Sequence, residues 1–197
     1  MTSRRTFCSA VCALPVLSLV SGYARAADDD IQLMGAELTR KPDDIAPGLY
    51  LSVNWEFDLA RALTESLRRG IALYFVCEFR LQRARWYWVD KDITTCELVQ
   101  RLSFSPLSRQ YRLSSGGLTQ SFDSLEQVLP LIKQIRDWRV ADLNVIDDID
   151  EFEAETRMRL DTSRLPRPLQ VTIGGNSDWL LESNWEKIHL DASLTSR

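Results

Sequence analysis

The sequence predicts a mainly β fold: a single-domain antiparallel β-sandwich with two short helices, preceded by a cleavable signal peptide. Three observations carry this. Apolar residues recur at every second position through most of the chain after residue 30, the period of a strand buried on one face. Only two stretches switch to helical spacing. Strands and helices do not alternate, which argues against a doubly wound parallel sheet.

Residues 1–26 read as a transport address. Arg4 and Arg5 give a basic start, Phe7 to Val20 is apolar and uncharged, and Ala24-Arg25-Ala26 presents the small-x-small pattern of a cleavage site. Cleavage between Ala26 and Ala27 leaves one domain, residues 27–197, in the periplasm. Ser3-Arg4-Arg5-Thr6-Phe7 matches the first half of a twin-arginine signal. The general Sec route fits as well, and both stay open. The apolar run falls short of the ~20 residues of a membrane span and is interrupted by Pro15 and Gly22, so no span is expected after cleavage. The leader holds three arginines and no acid, so the net charge of −4 becomes −7 without it (−4 minus 3). That balance argues against a protein built mainly to hold nucleic acid, whose footprint is basic.

The elements follow in order. A strand is expected near 31–40, and Leu49, Leu51, Val53, Trp55 and Phe57 alternate with polar residues in a second. Asp58 then reads as the N-cap of a helix with Leu59, Leu63 and Leu67 on one face and Gly70 as its stop. Ile71 to Leu81 alternates again and turns Cys77 to the apolar side. Strands are expected near 84–89, 95–105, 108–115 and 118–122, with Gly116-Gly117 as a tight hairpin turn. Asp123, with Glu126 three residues on, opens a second helix that Pro130 should kink or shorten. After a strand near 138–144, Phe152 to Leu160 sets an apolar row against Glu153, Glu155, Arg157, Arg159 and Asp161, the pattern of a sheet wet on one side. A last strand is expected at 169–173. Gly174-Gly175-Asn176 then opens a looser C-terminal segment.

Two cysteines survive processing. With Asp90-Lys91-Asp92 as the hairpin turn, Cys96 lies opposite Trp86, on the order of 30 Å from Cys77, so both are expected as free, buried thiols. The chain has one histidine, His189, too few for a zinc-type cluster, and it is expected exposed near the C-terminus. The acidic run Asp147-Asp148-Ile149-Asp150-Glu151 lacks the glycine of a calcium loop and is expected to be solvated and paired with Arg157 and Arg159. No catalytic residues, metal site or cofactor are implied. Arg83, Arg85, Trp86, Tyr87 and Trp88 form the candidate binding surface: aromatic rings offer a platform to a sugar, peptide or partner strand, and arginines grip carboxylates. Against this stands a plain reading in which one face of the segment fills the core. Leu165-Pro166-Arg167-Pro168 is expected as extended, polyproline-like chain.

The motif order Leu73-Tyr74-Phe75-Val76, Arg85-Trp86-Tyr87-Trp88, Gln110-Tyr111-Arg112, Gly116-Gly117-Leu118, Gln120-Ser121-Phe122, Trp138-Arg139-Val140 and Arg157-Met158-Arg159-Leu160-Asp161, through Leu165-Pro166, resembles the DUF4390 family, exported proteobacterial proteins of unknown function. The resemblance spans roughly residues 30–190. It implies a signal peptide and a single domain and brings no established site residues. Genes of the family often neighbour a membrane-bound nitrogen-type sensor kinase, which implies an inner-membrane or envelope partner. The expectation is thus a non-enzymatic periplasmic interaction or accessory module. The alternatives are a binder of a small ligand between the sheets and, behind it, a carboxylate-based hydrolase using Asp147, Asp148 and Asp150.

Overall fold

In the computed structural model, which describes residues 31–83, 91–165 and 179–195, the alternating stretches become strands. They are β1 (Gln32–Lys41), β2 (Gly48–Glu56), β3 (Leu73–Arg83), β4 (Lys91–Ser105), β5 (Gln110–Ser115), β6 (Leu118–Phe122), β7 (Gln134–Ala141), β8 (Phe152–Leu160) and β9 (Glu186–Ile188). Helix α1 (Arg61–Arg68) lies between β2 and β3, and α2 (Leu125–Lys133) between β6 and β7. One sheet has the order β1-β2-β7 and the other β6-β5-β4-β3-β8-β9. Every pairing is antiparallel. The two sheets share one core, as an antiparallel β-sandwich requires. The leader, residues 1–26, lies outside the described residues, as does the strand expected at 169–173.

The odd-numbered rows of β2 and β3 supply the centre of that core. Leu49, Leu51, Val53 and Trp55 face Leu73, Phe75, Cys77, Phe79 and Leu81, all buried. Phe57 stacks on Phe75 with ring centroids 5.6 Å apart, joining the end of one sheet to the other. From β8 the row Phe152, Ala154, Thr156, Met158 and Leu160 continues the same face.

Each helix carries the chain from one sheet to the other. Residues 57–60 leave the sheet without regular structure, so α1 begins at Arg61 behind Ala60 and not at Asp58 as the capping pattern suggests; no side chain caps it. Its end follows the sequence: Gly70, at φ +88°, donates its N–H to the Leu67 carbonyl, and Ile71 donates to Ser66, the paired bonds that satisfy orphan carbonyls at a glycine stop. Helix α2 likewise begins two residues after Asp123, whose N–H donates to Gln127 Oε1. Pro130 sits within it, and the chain passes directly into β7 at Gln134, four residues before the expected strand.

Three further expectations are corrected. Lys91 and Asp92 are not turn residues: they belong to β4, paired with Arg83 and Gln82. A turn at 90–92 would set Phe79 against Ser103 and Cys77 against Ser105, burying a polar row. The observed register pairs Phe79 with Cys96, Cys77 with Leu98 and Leu73 with Leu102, because a slip of odd length flips a strand's faces. Second, the charged face of β8 is not simply wet, since the C-terminal segment lies over part of it. Third, strand pairing does not end at Ile173: β9 pairs with β8, and the Leu160 N–H donates to the Leu181 carbonyl at 2.7 Å.

Candidate binding surface

The outer face of the six-stranded sheet is built from the even-numbered row of β3 and its neighbours. Glu78, opposite Glu97 on β4 and Arg157 on β8, is only 6% exposed. It accepts hydrogen bonds from Arg157 and, at 3.1 Å, from Arg159. One step along, Arg80 donates to Glu155 at 2.5 Å. The guanidinium carbons of Arg80 and Arg157 lie 4.0 and 4.7 Å from the Trp185 ring centroid, so the indole sits against both. Arg157 and Arg159 are therefore engaged by Glu78, which corrects the expectation that the acidic run pairs with them. Beyond them Asp161 receives Ser163 and Arg164. Burial alone would raise the Asp161 pKa; those hydrogen bonds and the nearby Arg159 charge outweigh it and hold the carboxyl below its ordinary value.

The acidic run meets Arg83 instead. Arg83 donates to Asp147 at 2.5 Å, lies 3.4 Å from Glu151, and holds its guanidinium 4.8 Å from the Phe152 ring centroid. The hydrogen bond from Arg83 lowers the Asp147 pKa. Asp147 and Asp148 also accept backbone N–H groups of Asp148 and Asp150, so this run ties the β7–β8 connection to the end of β3. Arg83 is thus committed to a carboxylate pair. Arg85, Trp86, Tyr87 and Trp88, the rest of the expected surface, lie outside the described residues, as do Pro166, Arg167 and Pro168.

His189 is exposed just after β9, 3.3 Å from Asp191. Among the described residues no three of His, Cys, Asp and Glu are grouped to hold a metal ion. Cys77 and Cys96 are free, and the distance argued from sequence is corrected: they share a face of the β3–β4 hairpin as diagonal neighbours. Such positions are ~7–8 Å apart, too far for an unstrained disulfide. The Cys96 thiol donates to the Val140 carbonyl at 3.6 Å, bridging the sheets. Burial pushes the Cys77 pKa up to about 12 and that of Cys96 to about 11.

At the other end of the sheet lies β6, whose sequence Leu-Thr-Gln-Ser-Phe contains no charge and no proline. Among the described residues it pairs only with β5, and four of its five residues are exposed, Leu118 at 74%. Gly116 and Gly117 both have positive φ, the two-residue turn expected from sequence, with Ser115 and Leu118 as its closing pair. In such a hairpin the closing pair exchanges both backbone bonds and alternate residues point outward. The backbone groups of Thr119 and Ser121 therefore face away from β5. Sequence reading singled out the strand and missed this edge.

The model of a family described as Domain of unknown function (DUF4390) matches residues 28–189. The chain belongs to this family. The matched span takes in every strand of both sheets, so the sandwich is the DUF4390 domain itself. No curated protein and no solved structure is matched by the chain. Among the described residues no helix is long and apolar enough to cross a membrane.

Proposed function

We propose that this DUF4390 domain is a non-enzymatic interaction module of the periplasm that takes an extended strand of an inner-membrane or envelope protein onto its β6 edge. The export pattern of the first 26 residues supports the compartment. One observation carries the surface: among the described residues, β6 is the sheet edge without the usual protection against strand addition. The other three edges are managed. β1 carries Glu37, Arg40 and Lys41, a register shift at Leu33/Gly35, and the turn Ala192–Leu194 packed on it. β7 carries Arg136, Asp137 and Arg139 and two register shifts against β2. β9 is three residues long with two charges. An added strand on β6 gains backbone hydrogen bonds, with Leu118 offering an apolar contact. The inner rows are filled by large side chains with no exposure, Trp55, Phe75 and Phe79 among them, which favours the surface over the interior as the place for a partner.

The test is site-specific photo-crosslinking in cells from position 120, with position 37 on β1 as the protected-edge control. An adduct with one inner-membrane or envelope protein is expected from 120 and not from 37. Ser121→Pro removes an outward N–H and leaves the β5 pairing intact, so it should abolish the adduct without lowering the unfolding midpoint. An adduct unaffected by Ser121→Pro, or a self-adduct of twice the chain's mass, sinks the reading.

A further inference from the structure

We propose that a second, separate site on this domain binds a phosphate monoester carried on a small apolar group. The site is a pocket of about 460 Å³ lined by Arg69, Arg101, Arg164 and Tyr74, with Ile71 and Leu165 among its apolar walls. It does not depend on the reading of β6.

Three elements bring the arginines together. Arg69 is the C-cap of α1, Arg101 lies on β4 directly opposite Tyr74 of β3, and Arg164 ends the 3-10 turn Thr162–Arg164 that follows β8. The Arg101 Nε donates to the Tyr74 hydroxyl oxygen at 3.2 Å, which orients the phenol and leaves its own hydrogen to be donated. The guanidinium carbons of Arg101 and Arg164 lie 6.0 and 5.9 Å from the Tyr74 ring centroid. Arg164 is partly neutralised by Asp161 at 2.9 Å. Among the described residues neither Arg69 nor Arg101 has a carboxylate within 4 Å; Glu65, one helical turn before Arg69, is paired with Arg61 and feels the Arg69 charge only at longer range. Gathering such charges at one pocket, in a chain whose net charge is −4, costs repulsion that a bound anion relieves.

The charge left over selects the anion. Two guanidinium groups without a close ion pair match a group of charge near −2, and their planar forks match its tetrahedral oxygens bidentately. A phosphate monoester approaches that charge above its second pKa of about 6; sulfonates and simple carboxylates carry one charge. The apolar side of the pocket, from Ile71 to Leu165, selects a ligand with a small apolar body.

Calorimetry at pH 8 and fixed ionic strength tests this with phenyl phosphate, inorganic phosphate and benzenesulfonate, and sedimentation with vesicles containing phosphatidylglycerol supplies a lipid arm. Phenyl phosphate should bind one per chain, at least tenfold tighter than either comparison anion. Arg101→Gln should weaken it at least tenfold with an unchanged unfolding midpoint, whereas Arg112→Gln on β5 should change nothing. Absent binding, equal affinity for the three anions, or an Arg101→Gln variant that binds as the parent does overturns the proposal. So does binding to vesicles without binding of phenyl phosphate, which would make the pocket a lipid contact.

Discussion

Glu78 is held between two arginine heads of the neighbouring strand at a position where water reaches it poorly. Removing its charge leaves both arginines facing a neutral amide. A fully buried pair broken on one side costs about 3–5 kcal/mol. Arg157 and Arg159 keep part of their hydration, so Glu78→Gln should cost about 2 kcal/mol, read as a lower urea midpoint at unchanged slope. Asp161 sets a dependence on pH. Its folded pKa lies below the unfolded value of about 3.9, so its contribution is fully present above that value and is lost as pH falls through the lower folded one. Stability should therefore drop below about pH 4, and Asp161→Asn should make the drop shallower; equal slopes would remove Asp161 from the acid response. The thiols follow from burial. With pKa values pushed to about 12 and about 11, both stay protonated at pH 8 and should react with an aromatic disulfide reagent only as the protein unfolds, half-buried Cys96 before Cys77. Rapid labelling of the native protein would contradict that burial.

At the scale of elements, the pairing of β2 with β7 depends on a missing side chain. A Cβ on Gly48 would stand 2.7 Å from the Ala141 carbonyl oxygen and 2.7 Å from Arg139 Nε. Arg139 is itself held at the Pro47 carbonyl and at Asp142, so it has little room to yield. Gly48→Ala should cost about 1–3 kcal/mol and raise amide exchange in β7 above that in β5; parent-like exchange would show that the strand end gives way freely. The sequence made most strands legible through period-two rows, as in Leu49 to Phe57 and Phe152 to Leu160, because each has one buried face. What it hid were features set by partners distant in the chain. Turn chemistry favoured Asp90-Lys91-Asp92, but the matching of the Leu73–Leu81 row to Cys96, Leu98 and Leu102 decides the register. Capping patterns at Asp58 and Asp123 were overridden because the chain must first leave its sheet. Strand β9 is three residues with two charges, too short to show a period; it exists because the edge of β8 is there to receive it. The site was less legible for the same reason: Tyr74 and Arg101 are adjacent only through the hairpin register, and nothing in the alternation of Ile71 to Leu81 sets Glu78 apart from its neighbours.

For the whole molecule, the seam that joins the sheets beside β1 and β9 is closed by the last described residues. After β9 the chain turns through Ala192–Leu194 and packs on β1, placing Leu194 at 0% exposure in the shared core with Ile31, Leu38 and Ile188. Strands β1 and β9 belong to different sheets, so this leucine acts across the sandwich and not within a layer. It also seals the protected β1 edge, the contrast on which the reading of β6 rests. Truncating a buried leucine removes its transfer energy and leaves a cavity, typically about 2–5 kcal/mol. Leu194→Ala should fall within that range, near 3 kcal/mol, and should raise amide exchange in β1 and β9 before any change in the β3–β4 hairpin. A variant that unfolds at the parent's midpoint with unaltered exchange would mean the C-terminal turn is only laid against the sandwich. The two sheets would then be held by α1, α2 and the inner rows alone.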